Sequence, residues 1–493
     1  MKKLLLTLAV ALVLLLIVLL VNTFRLPSRQ LTDVPPAPDL TGFPVDSAVG
    51  RLSAAIQCRT VSYTDYSLTD TTQFDKFLSL IRVRFPRIHS QLKQETVNRY
   101  GLLYTWAGKN PALPPVLLMG HYDVVPVIQG TERMWKRPPF AGLVEGGYVY
   151  GRGTLDDKTT VMGLLEAVEY LLGKGHQPER TIMLAFGQDE ETLGKRGATA
   201  TVALLEKRGI KPLMVMDEGG VVKTDGISGL NKPIALIGIG EKGYLSLELT
   251  VTGEGGHSSM PPRQTSIGVL AAALDKLEQN PFPARLDAGL SQMFSYLGPE
   301  MPLGQRLVFA NQWLFGPVIQ RILSGSNSGD ATQRTTTAPT IINAGQKDNV
   351  LPIDASAVVN FRILPGETTK TVTQRVKEVI DDERVTVKTY GTFSDPSALS
   401  DPEAAPFVQL HRTIRAVFPE ATVAPYLVLG GTDSRFYSKI CPNVYRFMPV
   451  RMNDESLKMP HGTNERISVK DYTDMVKFYA TLIQNTNSLP PTP

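Results

Sequence analysis

Four stretches place acids or imidazole where apolar runs end. "MGHYDVVP" (119–126) sets His121 and Asp123 on either side of one tyrosine. "YGRGTLDDK" brings Asp156 and Asp157, "QDEE" brings Asp189, Glu190 and Glu191, and "MDEGG" brings Asp217 and Glu218. So many carboxylates gathered at one edge would repel, and some would stay protonated. One or two divalent cations remove that conflict. Imidazole with carboxylate suits zinc, and manganese or cobalt less specifically. Residues two apart in an extended stretch point the same way, so Asp123 can take the far ring N–H of His121 and fix its tautomer. Neighbouring Glu190 and Glu191 point different ways. One can bind metal while the other accepts a proton from water, and a metal pair about 3.5–4 Å apart would acidify that water and polarise a carbonyl. Each stretch alone is a weak signal, since a lone histidine or a paired glutamate is more often structural. Their joint occurrence at successive strand ends carries the argument.

The elements that must position these groups follow from periodicity. "PVLLMG" (115–120), "RTIMLAFG" (180–187) and "LMVMDEGG" (213–220) read as short buried strands ending in turn residues. Apolar residues at helical spacing over Thr159–Leu172, and "TVALLEKRG" (201–209) with its terminal glycine, read as helices between them. Alternation of this kind predicts an α/β catalytic domain with a mixed, largely parallel sheet and flanking helices, its ligands outside the carboxyl ends of the strands. From about residue 241 the texture changes. "YLSLELTVTGEG" (244–255) alternates as a strand with one wet face, and "ASAVVNFRILP" (355–365) does so less cleanly. With the helical "SIGVLAAALDKLEQN" (266–280) they predict an inserted α+β domain over 241–394, between catalytic segments 45–240 and 395–493. The later segment reads as helix over 405–418 and again over 471–485, and residues 281–340 show no clear pattern.

The chain's 493 residues exceed one compact core, and a formal charge of +4 with scattered Lys and Arg gives no nucleic-acid footprint. Leu4 to Phe24 runs uncharged, and 21 residues make about 31 Å of helix, enough to cross a bilayer. That length, and the lack of a small-residue cleavage site, favour an uncleaved anchor over 1–25 rather than a secretory signal. Lys2 and Lys3 put the N-terminus in the cytoplasm and the catalytic body outside it, periplasmic or extracellular; cleavage would make the protein secreted. Residues 26–44 are proline-rich and read as a stiff tether. Cys58 and Cys441 have no second Cys at ligand spacing; in an exported body they could pair.

Taken in order, "GHYDVVP", "WKRPPFAG…YGRGTLDDK", "QDEETLG", "MDEGG" and "HGTNERIS" resemble the M20 metallopeptidases, in particular the carboxypeptidase S-like branch that includes N-acyl-amino-acid hydrolases. The resemblance spans about 45–490. It implies two Zn²⁺ ions, with Asp156 bridging them, His121 and Asp217 on one, Glu191 and His461 on the other, Asp123 orienting His121, and Glu190 as general base. It implies a cis peptide at Asp156–Asp157. In the inserted lid it implies that His257 ("GEGGHSSMPP") polarises the scissile carbonyl, in some relatives from a neighbouring subunit, so a homodimer is one outcome. Asn349 ("DNVLP"), Arg362 ("NFRILPG") and the Gly431–Thr432 loop ("LGGTDSRF") would hold the substrate, a small peptide or N-acyl amino acid, by its carboxylate. The compact family lid has nothing like residues 281–340. Two rival readings are an M28-type di-zinc aminopeptidase, which lacks such an insertion, and a binding protein on the same fold that has lost catalysis, which would normally lack a ligand or the base.

Overall fold

The computed structural model describes residues 1–491. Its main sheet has ten strands, and the middle of it is parallel. Val116–His121 lies between Ile182–Gly187 and Met214–Asp217, all three running the same way, and Val444–Arg446 continues beside Met214–Asp217. Gly101–Trp106 and Ile234–Glu241 join antiparallel on the two sides, so the sheet is mixed, with its parallel run at the centre. Every residue of Val116–His121 and of Ile182–Gly187 is buried, as expected for strands covered on both faces. The covering helix Lys158–Gly173 is buried along almost its whole length, packed against Val45–Ile56 and Val469–Asn485. Continuous apolar runs and the helix at 159–172 were therefore sound sequence signals for the layers that matter most.

The second sheet has four strands, in the order Thr336–Ala344, Asp354–Ile363, Gly243–Thr252 and Val385–Thr389, all antiparallel. Helices Ser266–Gln279 and Thr369–Ile380 cover one face and share a separate core with it, including Leu247, Leu249, Leu270, Val359 and Val376. A two-stranded ribbon, Gly256–His257 with Val350–Leu351, projects from this unit.

Residues 281–340, which carried no clear sequence pattern, hold helices Ala288–Leu297, Leu303–Ala310, Gln312–Leu323 and Asn327–Gln333 before the strand from Thr336. These do not extend the second sheet. Ala288–Leu297 packs on strand Thr422–Val428 of the main body, and Tyr296, Leu297 and Met301 join the main core. The span 241–394 thus divides between two bodies, because this helical segment buries its apolar face against the first.

The helix Lys2–Arg25 can cross a membrane by length and composition. Up to Val18 it is exposed except at Leu15, which is partly covered; from Leu19 it packs against the helical segment. The proline-rich stretch after it is a strap rather than a free spacer. Gln30 exchanges two hydrogen bonds with the backbone of Val423 at 2.8 and 2.9 Å, the Ala37 N–H donates to Ala416, and Asp39 pairs with Lys477. Proline removes backbone donors, so side chains such as Gln30 complete the pairing. Cys58 and Cys441 are buried free thiols in different core clusters.

Candidate active site

Three adjacent parallel strands deliver the candidate residues. Val116–His121 ends on His121, Ile182–Gly187 runs into Asp189, Glu190 and Glu191, and Met214–Asp217 ends on Asp217. Gly120 allows the close approach behind them, since a Cβ there would lie 2.8 Å from an Asp157 carboxylate oxygen. Asp156–Asp157 is a cis peptide bond, as the family resemblance implied. His461 arrives from the far end of the chain in the left-handed region, φ +58°, which a side chain other than glycine rarely adopts.

Asp156 stands between the two imidazoles. Its Oδ1 lies 3.0 Å from His121 Nε2, and its Oδ2 lies 3.1 Å from His461 Nε2. Glu191 Oε2 is 3.0 Å from the same His461 nitrogen, and Glu190 Oε2 is 4.0 Å from His121 Nε2. One donor atom from each of His121, Asp156 and Glu191 falls within 4.8 Å of the others, a grouping that could hold a metal ion. The donor set fits a divalent cation on electrostatic grounds too. The carboxylates of Asp156 and Glu191 hold His461 up to about 10, so the acids demand positive charge at that spot. Glu191 Oε1 is buried with no hydrogen-bond partner. Burial pushes the Glu190 carboxyl well above the usual range; His121 opposes this, while Asp433, Glu191 and Asp156 reinforce it. Asp217 is also raised, chiefly by burial, and accepts from the Ser434 N–H at 2.9 Å.

Groups behind the cluster hold it in register. The ring Nδ1 of His121 lies 3.1 Å from the Asp123 carbonyl and 3.3 Å from its carboxylate, so the tautomer is fixed from two sides. The same carboxylate accepts from the Glu190 and Glu191 N–H groups at 3.1 and 3.2 Å, and from Ser62 at 2.6 Å. Sequence reasoning missed a second brace. Glu465 accepts from the N–H groups of Gly153, Leu155 and Asp156 and pairs with buried Arg152 at 2.8 Å. Arg152 also donates to the Gly462 carbonyl at 2.8 Å. This buried pair ties the Asp156 loop to the His461 loop. The available signal was Glu465 itself, four residues after His461 in an already suspect stretch. A third brace centres on buried Glu241, which accepts from Arg446 Nε, from the Thr432 N–H and hydroxyl, and from Ser434 Oγ.

The expected substrate residues fall into three groups. Arg362 and Gly431 line a cavity of about 450 Å³ with Glu190, Glu191 and His461. Lys242, Tyr244 and Arg435, not singled out from sequence, share that wall, and Arg362 lies over the Tyr244 ring at 4.8 Å. Thr432 lies beneath the loop, buried, its hydroxyl committed to Glu241. His257 sits exposed on the projecting ribbon, with exposed Asn349 in the turn that leads into it; His257 bonds Ser259 and the Asn349 carbonyl accepts from Ser258. Neither is hydrogen-bonded to the cluster of acids and imidazoles among the described residues. His411, the histidine that sequence alone could not separate from His461, is buried in the helix Ala405–Val417 beside Tyr296.

The chain is similar to probable carboxypeptidase S-like 2 of Dictyostelium discoideum, 40% identical over 479 residues, covering 96% of this chain and 92% of that one. It is 42% identical over 442 residues to the human N-fatty-acyl-amino acid synthase/hydrolase PM20D1, covering 89% and 87% respectively. In fold it is similar to the M20 family metallo-carboxypeptidase Sso-CP2 from Sulfolobus solfataricus, with TM-score 0.64 at 19% identity over 90% of this chain and 99% of that one. Human carnosine dipeptidase 1 matches at TM-score 0.64 and 16% identity over 92% of this chain and 100% of that one. The sequence profile of peptidase family M20/M25/M40 runs from residue 117 to residue 485, all four acidic and imidazole motifs and the distant histidine included, and the chain belongs to that family.

Proposed function

We propose that the protein is a two-metal amidohydrolase that cleaves the amide bond before a free carboxylate, in a peptide or an N-acyl amino acid. The observation that carries this reading is the split of the Asp156 carboxylate between two imidazoles, at 3.0 and 3.1 Å, with Glu191 on the second. His121, Asp156 and Asp217 would hold one divalent cation, and Asp156, Glu191 and His461 the other. Zinc suits the set best, with manganese or cobalt as substitutes. Bound there, the pair supplies Lewis-acid charge and lowers the pKa of water. Glu190 takes the attacking water's proton and returns it to the leaving amine nitrogen; a carboxyl raised by burial suits both transfers. Arg362 grips the substrate carboxylate as a planar fork, with the Gly431 backbone beside it and Thr432 anchoring the loop. His257, carried by the second unit as a lid, donates to the carbonyl oxygen as charge develops, and Asn349 accompanies it in the turn that leads into the same ribbon.

The relatives named as N-fatty-acyl-amino acid synthase/hydrolases motivate a long acyl group. A second cavity of about 590 Å³, walled in part by Tyr63, Phe74 and Tyr100, shares Leu193, Lys195 and Thr392 with the first and leaves room for such a chain. We also read Lys2–Arg25 as a retained anchor, because side chains of the body are committed to its end, and take Lys2 and Lys3 to place the catalytic body outside the cytoplasm. Asn311 donates to the Leu19 carbonyl, and Arg306 donates to those of Thr23 and Leu26.

The test is a panel of dipeptides and of acetyl- to long-acyl amino acids assayed with wild type and Glu190→Gln. The substitution should cost about 10²–10⁴ in kcat while metal content stays at the wild-type level. Full activity in Glu190→Gln would sink the base assignment, and equal turnover of acetyl and long-acyl substrates would sink the lipid preference.

A further inference from the structure

The helical segment 288–323 leaves one face without a partner. On Gln312–Leu323, Gly316 and Ile319 are buried against the body. The other side exposes Trp313 at 63%, Leu314 at 39%, Val318 at 50% and Ile322 at 69%. At 3.6 residues per turn, Trp313, Pro317, Leu314, Val318 and Ile322 fan in that angular order over about half of the helix circumference, with Arg321 near the middle, so they form one broad exposed face. Its only charge is Arg321, whose long stem can carry the guanidinium to water. In an ordinary soluble surface such a face is a liability.

The geometry of the anchor says what covers it. Spanning hydrocarbon takes about 20 helical residues, near 30 Å. The free part of the helix, Lys2–Val18, supplies only about 25 Å at 1.5 Å per residue. The missing length must come from Leu19–Thr23, and those residues are already packed against the body. Thr23 and Asn311 are fully buried there. Asn22 Nδ2 donates to Asn311 Oδ1 at 2.8 Å, and Asn311 immediately precedes Gln312–Leu323. If the anchor spans, the apolar face therefore starts at a depth of at least about 5 Å in the outer leaflet, within the 5–10 Å at which interfacial helices lie. A second copy of the chain is a poorer occupant, since three turns of one helix offer far less than the roughly 800 Å² per partner of a stable interface. The strap over residues 28–39 holds the body down at the same end.

We infer that Gln312–Leu323 is a membrane-interface helix. Its Trp313–Ile322 face lies in the phosphatidylcholine headgroup and upper acyl region beside the anchor and seats the catalytic body on the bilayer surface. The inference rests on the anchor reading above, and the two can be separated.

The full chain is reconstituted in phosphatidylcholine vesicles with and without acyl-chain-brominated phosphatidylcholine, and part of each sample is washed with alkaline carbonate. Release by carbonate would overturn the anchor reading and the seating with it. In retained protein, bromolipid should quench tryptophan emission, and Trp313→Phe should lose most of the quenchable part, because the other tryptophans of the three, Trp106 and Trp135, lie in the body. Retained protein whose wild-type emission is quenched by aqueous iodide but not by bromolipid would overturn the seating alone. So would equal bromolipid quenching in wild type and Trp313→Phe, or a detergent-resistant dimer that shields Trp313 from both quenchers. Trp313 is mostly exposed, so unchanged hydrolysis of a water-soluble substrate confirms that the variant is folded.

Discussion

The main body and the second unit hold their candidate site residues in opposite ways. In the body, His121, Asp123 and Asp217 are buried at strand ends, and each has a partner behind it that fixes its direction. In the second unit, His257 stands exposed on a ribbon only two residue pairs long, with exposed Asn349 in the turn that leads into it. The difference separates two physical tasks. Ligands that gather like charges need an over-determined frame before a cation arrives, because no single carboxylate would stay there unaided. A group that meets charge only as it develops on a substrate oxygen can be brought up with the substrate, by movement of its own unit or by a second copy.

The strongest way to break this contrast is through Glu465. Glu465→Gln leaves Arg152 buried without a counter-charge, and removing one partner of a buried ion pair costs about 3–5 kcal/mol. It also unties the Asp156 loop from the His461 loop, a loss of outer-shell support that typically costs about 10–100-fold in metal affinity. Competition with a chelator and thermal melting of the metal-loaded protein measure the two effects. Unchanged metal affinity in Glu465→Gln would mean that the Asp156 loop holds its shape without the brace. The smaller test falls on the other unit. His257→Ala should lower kcat by about 10²–10³, as loss of one oxyanion donor does, with metal affinity and melting temperature unmoved. A rate within twofold of wild type would remove the second unit from the chemistry and leave it a substrate-binding surface.

The same contrast explains what could be read from sequence. The strands and the helices at 158–173, 198–207 and 266–279 were legible because a continuous apolar run or a 3.6-residue period survives in one dimension. Short acidic motifs after those strands were legible for the same reason. Residues 281–340 were not, because their apolar positions answer to two surfaces at once, the main core and the outward face, and no single period results. Glu465 and Glu241 escaped because a buried carboxylate is indistinguishable from a solvated one until its partners, Arg152 and Arg446, are placed. His461 needed the family resemblance, since nothing local joins it to His121 across some 340 residues. The tether was misjudged because composition reports stiffness but not what the segment lies against.

The smallest effect sharpens the comparison by using one residue type in two environments. Among carboxylates, His461 is held up to about 10. In the apolar core, burial pulls His411 down to about 3, with Arg415 and Arg412 adding to it, and its Nε2 has no partner. His411 is therefore neutral in the fold, whereas the unfolded chain protonates near 6.5. Its contribution to stability is complete above pH 6.5 and is lost progressively as the pH falls towards 3, because the unfolded state binds a proton that the native state refuses. His411→Leu, a side chain of comparable bulk with no proton to gain, should flatten the stability-against-pH curve between 6.5 and 4 by one proton per molecule. Denaturant titrations of both proteins across that range measure the slope. An unchanged slope would mean that His411 can charge inside the core, and burial alone would then not account for the gap between these two imidazoles.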